Sequence, residues 1–158
     1  MTLSGLTIRT FQPADALEIM RLFHDTVHSV NSRDYTPEQV EAWAPTPMDE
    51  PRWQERLRAN FTYVAEADGQ IVGFSELERS GRIGTLYIHH RYQAQGIASR
   101  LLSEMETRAR ALGARRLTVE ASLTAYGFFQ RRGFKLVRPQ DVDLNGVSLR
   151  NFVMERAL

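Results

Sequence analysis

Apolar residues in the first third of the chain recur at the spacing of an α-helix. They are separated by steps of three, three, four and three residues: Leu17, Met20, Phe23, Val27 and Val30. This spacing predicts a helix that opens at residues 13–15 and buries one face. The alternation of apolar and polar residues ahead of it predicts a short strand over residues 6–11.

Two shorter helices are predicted from their start signals. Thr36, a proline and then Gln39 have the composition of a capping box, which predicts a helix from residue 37 to about residue 43. Asp49 can cap a further helix over residues 49–60. These elements would follow the first helix before any further strand begins.

From residue 61 the hydrophobic period changes to that of strands. Two apolar-rich segments flank Asp68-Gly69, which is a strong signal for a two-residue hairpin turn. A second turn at residues 80–81 leads into a strand over residues 83–88. We therefore expect three successive antiparallel strands.

The last part of the chain alternates helices and strands. The predicted order is a helix that begins after Gly96 and is ended by Gly113, a strand over 117–121, a helix over 124–132, and strands over 134–137 and 147–154. A strand reached across a helix should lie parallel to the strand before it, by the right-handed crossover rule. The pattern thus predicts an α/β fold with a mixed sheet of about seven strands flanked by helices.

Composition limits the classes of function. The chain has 158 residues, which suits a single domain over residues 1–158. It has no cysteine, so disulfides, Cys-ligated zinc and a cysteine nucleophile are excluded. Its 20 basic and 19 acidic side chains give a net charge of +1, which argues against nucleic acid as a partner.

The chain shows no signal for a membrane location. No apolar run reaches the roughly 20 residues that a membrane-spanning helix needs. The N-terminal residues lack a basic start followed by an apolar block, as a secretory signal would have. We therefore expect no membrane partner and a cytoplasmic protein.

The most informative segment for chemistry is the loop between the strand over 83–88 and the following helix. The backbone N–H groups of residues 95–99 have no acceptor inside the helix, and the helix dipole adds to their attraction for a phosphate. Gly96 would allow the ligand to approach closely, and Ala98 is also small. Neither common nucleotide loop is present, so an ordinary strand–helix turn remains the alternative.

Several motifs resemble the GNAT superfamily of acyl-CoA-dependent N-acyltransferases. The pattern Gln93-x-x-Gly96-x-Ala98 resembles the family's pyrophosphate loop, and Leu86-Tyr87-Ile88-His89 resembles the strand before it. Gly133-Phe134, after Phe128-Phe129, resembles a further family segment. The predicted element order also matches, so the resemblance covers nearly the whole chain. Tyr35-Thr36-Pro37-Glu38-Gln39 and Arg52-Trp53 are similar to a YafP-like subgroup.

The resemblance implies acetyl-CoA as co-substrate and direct transfer of the acetyl group to an amine in a ternary complex. The pantetheine arm of coenzyme A would enter between the strands over 83–88 and 117–121, and its pyrophosphate would lie on the loop. The expected cofactor-binding residues are Leu86, Tyr87, Ile88, Gln93, Ala94, Gln95, Gly96, Ile97, Ala98, Ser99 and Phe129.

The catalytic groups are less clearly marked. An attacking amine must be neutral, although a typical alkyl ammonium has a pKa of about 10, so a base or a water chain must remove a proton. Glu120 and Glu76 are the candidate bases. The family's proton-donating tyrosine corresponds to Phe129, and Tyr126, one turn earlier, is the candidate replacement, with water as the alternative.

The acceptor amine would contact the variable helical region. The expected substrate-binding residues are His28, Tyr35, Trp43 and Glu76. His24 and His28 have a spacing that could hold a metal, but no third ligand is evident, so no metal is expected. A CoA-binding sensor without turnover and a nucleotide-binding protein are the alternative functions, and the oligomeric state, including a homodimer, is left open.

Overall fold

One sheet organises the chain in the computed structural model, which describes residues 5–158. Its seven strands are β1 (Thr7–Thr10), β2 (Phe61–Ala67), β3 (Gln70–Leu77), β4 (Arg82–Ile88), β5 (Arg116–Ser122), β6 (Lys135–Leu144) and β7 (Val147–Ala157). The helices are α1 (Ala16–Ser29), α2 (Pro37–Trp43), α3 (Glu50–Ala59), α4 (Ile97–Ala111) and α5 (Tyr126–Arg131). The number and order of the predicted elements are confirmed.

The sheet is mixed, as predicted. Its strand order is β1-β2-β3-β4-β5-β7-β6, and neighbours are antiparallel except for the parallel pair β4–β5. That pair is joined through α4, in agreement with the crossover expectation. Only Arg82 with Thr118 and Ile83 with Val119 are in register, so the two strands separate after their first residues.

Helices cover both faces of the sheet and divide the core in two. On one face α4 buries its apolar stripe, with Leu101 and Met105 fully buried against residues of β2 to β5. On the other face α1, α2 and α3 pack on the sheet around Phe74. Because both faces are covered, a ligand can reach the centre of the sheet only where neighbouring strands part.

Local signals at turns and caps behave as the sequence predicts. The Thr36 hydroxyl accepts from the Gln39 amide and the Gln39 side chain accepts from the Thr36 amide, a complete capping box. At the β2–β3 hairpin, Asp68 and Gly69 both have positive φ, at 52° and 76°, as a two-residue turn of this kind requires.

The predicted apolar stripe of α1 is wrong at Leu17. Its exposed fraction is 37%, whereas Ile19 is fully buried. Leu17 and His24 are seven residues apart, nearly two helical turns, so Leu17 lies on the same face as His24 and not on the buried one. The buried face instead contains Ile19, Phe23 and Val27.

The strand predicted over residues 134–137 is also wrong in length, because β6 continues to Leu144. Most of its side chains are exposed, as expected for a strand at the edge of the sheet. Pro139 is tolerated there because an edge strand has one side without a ladder partner. The second half of β6 is missed by the sequence pattern because it is polar, and it is stabilised by pairing with β7 and not by burial of its side chains.

Among residues 5–158, the structure contains no helix long and apolar enough to cross a bilayer.

A buried carboxylate ties α3 to the centre of the sheet. Glu76 of β3 has no exposed surface. It accepts hydrogen bonds from Arg56 at 3.1 and 2.8 Å, from Asn60 at 3.2 Å and from the Thr85 hydroxyl at 2.7 Å. A buried charge is tolerated only when it is paired and hydrogen-bonded in this way.

We predict that Arg56→Met lowers the free energy of unfolding by about 2 kcal/mol, because Glu76 would lose its buried ion pair. This loss of stability is smaller than for a fully buried ion pair, because 41% of the Arg56 side chain is exposed to solvent. Urea unfolding followed by circular dichroism measures it. Arg52→Met is the matched control, since Arg52 is one turn earlier on α3 and has no ion pair among the described residues. Equal losses in both variants would contradict the assignment.

Candidate functional site

The parting of β4 and β5 coincides with a β-bulge. Glu76 and Leu77 are consecutive on β3, but their partners on β4 are Thr85 and Ile83. Gly84 is therefore an extra residue of β4, inserted directly after the last pair that β4 makes with β5. The bulge lets β4 bend away from β5 while it stays paired with β3.

Beyond the bulge, β4 presents unpaired backbone groups toward β5. The His89 amide donates to the Val72 carbonyl on the β3 side. Hydrogen-bonded pairs alternate along an antiparallel ladder, so Tyr87 also bonds toward β3, whereas the backbone groups of Leu86 and Ile88 point toward the gap. An extended ligand with amide groups could pair with this strand edge as a neighbouring strand would.

The loop after β4 leads directly into the N-terminus of α4. Gly96 caps this helix with φ +82°, and Ala94 also has a positive φ of 59°. The amides of the first turn, residues 97–99, have no preceding helical carbonyl to bond and are available for an anion. The Gln93 side chain donates to the Ile88 carbonyl, which holds the loop against the end of β4.

Two arginines near the end of α5 add positive charge beside this loop. Arg131 and Arg132 both line the same cavity as the loop. The Arg132 guanidinium donates to the Ser99 hydroxyl at 3.1 Å and lies 5.1 Å from the centre of the Phe128 ring. The backbone amides of the loop and the two arginine side chains thus line one cavity. Such an arrangement could bind a ligand that carries several phosphate groups.

A cavity of about 580 Å³ runs from this loop into the gap between β4 and β5. All the residues predicted to bind the cofactor line it: Leu86, Tyr87, Ile88, Gln93, Ala94, Gln95, Gly96, Ile97, Ala98, Ser99 and Phe129. The structure therefore brings these residues together in one groove, although their contact with a cofactor stays a prediction.

A second cavity of about 690 Å³ lies on the face covered by α1, α2 and α3. Its wall contains five aromatic side chains: Phe23, Tyr35, Trp43, Trp53 and Tyr87. Tyr35 and Trp43, both predicted to contact the acceptor, pack edge to face with ring centres 5.2 Å apart. The Tyr35 hydroxyl is occupied, since it donates to the Arg150 carbonyl at 2.7 Å and accepts from the Leu123 amide at 2.9 Å.

The two cavities meet where β4 and β5 part. The residues that line both are Trp43, Ile83, Gly84, Thr85, Tyr87, Glu120 and Ser122. We call this set the junction. Burial raises the pKa of the Tyr87 hydroxyl well above its ordinary value, so this side chain stays protonated at neutral pH.

Glu120 is the one carboxylate of the junction among residues 5–158. It accepts from the Gln140 side chain at 3.0 Å and from Arg82 at 2.7 Å. These hydrogen bonds hold the pKa of the Glu120 carboxyl below its ordinary value. Glu120 is therefore ionised at neutral pH, and it lines both cavities.

Three predicted site residues lie outside both cavities. The Tyr126 ring packs on Phe152 of β7, with ring centres 4.7 Å apart, and the structure does not bring it to the junction. Glu76 lies behind Thr85 in the buried network, and His28 bonds the Ala44 carbonyl at 2.8 Å. The His28 ring also stacks on His24, with ring centres 4.1 Å apart.

Sequence reasoning misses the partners of Glu120. Gln140 lies in the part of β6 beyond the predicted strand, and Arg82 lies just before the predicted start of its own strand. Both reach Glu120 only because of how β4, β5, β7 and β6 are ordered in the sheet. No local motif signals this arrangement.

Comparison with known proteins agrees with the geometry. A family model described as an acetyltransferase (GNAT) domain matches residues 31–156. The uncharacterized N-acetyltransferase YafP of Escherichia coli is 36% identical over 153 residues, which span 96% of both chains. An amino-acid acetyltransferase of Pseudomonas syringae is 34% identical over 110 residues, but these span 62% of this chain and only 24% of that protein.

Solved structures give the same result for the fold. A GCN5-related N-acetyltransferase from Rhodopseudomonas palustris superposes with a TM-score of 0.95 at 34% identity, over 100% of this chain and 99% of that one. The PaiA N-acetyltransferase from Thermoplasma acidophilum, solved in complex with coenzyme A, has a TM-score of 0.80 at 19% identity, covering 98% and 99% of the two chains. The chain belongs to the GNAT family of acetyltransferases.

We predict that Gly96→Val weakens binding of coenzyme A by about tenfold or more, equivalent to about 1.4 kcal/mol. A β-branched side chain at φ +82° would distort the loop and push its amides away from the phosphates. Isothermal titration calorimetry measures the affinity.

Gly113→Val is the matched control. Gly113 follows the other end of α4 and has φ +83°, and at both glycines an added side-chain carbon would meet no other atom within 4 Å. The strain of the two substitutions is therefore similar, and only Gly96 lies in the groove. Equal affinities in the two variants would show that the phosphate loop is placed wrongly.

Proposed function

We propose that this protein is an acetyl-CoA-dependent N-acetyltransferase that acetylates a primary amine directly in a ternary complex. The observation that carries the proposal is the junction, where a groove ending at a helix N-terminus meets a separate aromatic-walled cavity. Two substrates can then meet from opposite faces of the sheet. The chain has no cysteine, which removes the residue most suited to an acyl-enzyme intermediate.

The first cavity suits acetyl-CoA. Its pyrophosphate would lie on the amides at the start of α4, and its pantetheine arm would bond the unpaired backbone groups of Leu86 and the amide of Ile88. A protein described as an acetyltransferase from Salmonella typhimurium, YncA, was solved with its cofactor acetyl-CoA and shares this fold, with a TM-score of 0.74 at 18% identity. The thioester would then reach the bulge at Gly84.

The second cavity suits the acceptor amine. Its aromatic wall can hold an apolar body, and Tyr35, Trp43 and Tyr87 would surround the amino group as it approaches the junction. The related amino-acid acetyltransferases make amino acids a first class of acceptor to test.

The reaction needs one proton removed and one supplied. The amine nitrogen attacks the thioester carbon, the new C–N bond forms and the C–S bond breaks, and backbone amides at the bulge stabilise the charged oxygen. Glu120 takes the amine proton through water. A thiol has a pKa of about 8.5, so the thiolate can leave at neutral pH and take its proton from solvent. We therefore assign no proton donation to Tyr126.

The experiment that tests the proposal incubates the protein with acetyl-CoA and a panel of amines, and follows free thiol. The panel contains amino acids, polyamines and peptide N-termini. Thiol release above hydrolysis, with intersecting double-reciprocal plots, is expected for a ternary complex. Tight CoA binding without release for any acceptor would favour the sensor, and competition between ATP and CoA would favour a nucleotide-binding protein.

We predict that Glu120→Gln lowers kcat/KM by about 100-fold, because a general base contributes at least that factor. The affinity for acetyl-CoA should stay unchanged, since Glu120 would accept the amine proton through water and would not bind the cofactor. Steady-state kinetics with the best acceptor, together with calorimetry, separates the two effects. A variant of wild-type activity would remove Glu120 from the mechanism.

The pH profile tests the environment of Glu120. Gln140 and Arg82 hold its pKa low, so the wild-type carboxylate should stay ionised well into the acid range. Arg82→Met should raise that pKa and move the acid limb of kcat/KM to higher pH by up to about one pH unit. Arg116→Met is the control, because Arg116 pairs with Glu155 and lines neither cavity. An acid limb unmoved by Arg82→Met would contradict Glu120 as the group that titrates.

A further inference from the structure

One buried polar side chain that lines the first cavity makes no hydrogen bond with residues 5–158. Asn31 follows α1 and begins a short 3-10 turn, Asn31–Arg33. Its exposed fraction is only 5%, yet it lines the first cavity. Its backbone carbonyl accepts from the Asp34 amide, but its side-chain amide makes no hydrogen bond with the described residues.

Most buried polar side chains of the described residues are hydrogen-bonded. Apart from Asn31, the exceptions are the Ser75 hydroxyl, which lines neither cavity, and Asn151 Oδ1, which belongs to the second cavity and not to the first. Thr62 donates to the Leu57 carbonyl at 2.8 Å, and Thr85 donates to Glu76 at 2.7 Å. A buried amide without hydrogen bonds destabilises the free protein unless water or a ligand bonds it.

Residues on either side of Asn31 in the chain contact the ends of the two separating strands, β4 and β5. The Thr26 hydroxyl of α1 lies 3.4 Å from the Ile88 carbonyl at the end of β4. Beyond the end of β5, the Thr124 hydroxyl donates to Asp34 at 2.8 Å, and the Leu123 amide donates to Tyr35 at 2.9 Å. Asn31 therefore lies beside the opening between β4 and β5, on the side away from α4.

From this position we infer that Asn31 binds an amide group of the pantetheine arm of coenzyme A, an inference that rests on the proposed function. A side-chain amide presents one acceptor and two donor hydrogens, which match the N–H and C=O of a ligand amide. The arm has two such amides, whereas the acyl chain and the sulfur offer no equivalent pair. The backbone groups of Leu86 and the Ile88 amide face the same opening, so the arm would be bonded from the strand and from the end of α1 together.

The test compares Asn31→Leu with the wild-type protein by calorimetry, using two ligands. Leucine has a similar volume and cannot form hydrogen bonds. Affinity for coenzyme A should fall about five- to tenfold, as expected when a ligand amide loses one partner. Affinity for adenosine 3′,5′-bisphosphate, which has the nucleotide but no arm, should be unchanged. Ser32→Ala, at the exposed neighbouring residue, should bind both ligands as the wild type does.

Thermal unfolding without ligand separates this role from a structural one. Because the side chain has no partner among the described residues, Asn31→Leu should unfold at the same temperature as the wild type or higher. A lower unfolding temperature together with unchanged CoA affinity would show a structural residue and overturn the inference. An unchanged CoA affinity with a raised KM for the amine would overturn it in favour of the acceptor site. If the wild type itself bound no coenzyme A, the proposed function would fail first, and the inference with it.

Discussion

The site depends on one constraint in the sheet, the early end of the pairing between β4 and β5. Two parallel strands in the middle of a sheet would ordinarily continue side by side, because their backbone groups need partners. Here they share two register positions and then diverge. The crossover through α4 places the start of that helix at the same end of β4 at which the gap opens. The unbonded amides at the start of α4 and the gap beside β4 are therefore both consequences of the same sheet topology, as at the switch points of other α/β sheets.

The surrounding elements keep this gap from closing. β3 holds β4 along its other edge, and β7 pairs with β5 over its whole length, from Arg116 to Ser122. The extra residue Gly84 bends β4 without breaking its ladder to β3. On the helical face, the bonds from Thr124 and Leu123 fasten the segment after α1 to the end of β5. Strands that are each anchored on the far side cannot relax toward one another, so the unpaired edge remains available to a ligand.

The sequence predicts local features of the site well and long-range features poorly. The groove residues from Gln93 to Ser99 are predictable because a strand, a glycine loop and a helix are consecutive in the chain. The contacts of Glu120 are not, because Arg82 and Gln140 come from other strands. Tyr126 shows the same limit. Helical spacing relates it to Phe129, but the docking of α5 on the sheet turns Phe129 toward the groove and Tyr126 toward Phe152.

In the proposed reaction, proton transfer at the junction depends on two pKa values, that of Glu120 and that of the acceptor amine. A carboxylate whose pKa is held low, as that of Glu120 is, attracts a proton only weakly from an ammonium group with a pKa of about 10. Transfer becomes easier when the pKa of the ammonium also falls, and desolvation lowers the pKa of a buried amine. If the amine enters the second cavity as proposed, the rings of Trp43, Tyr35 and Tyr87 in its wall would supply such an environment. In the proposed reaction, the aromatic wall therefore helps to neutralise the amine, while Arg82 and Gln140 keep Glu120 ionised and oriented to receive the proton.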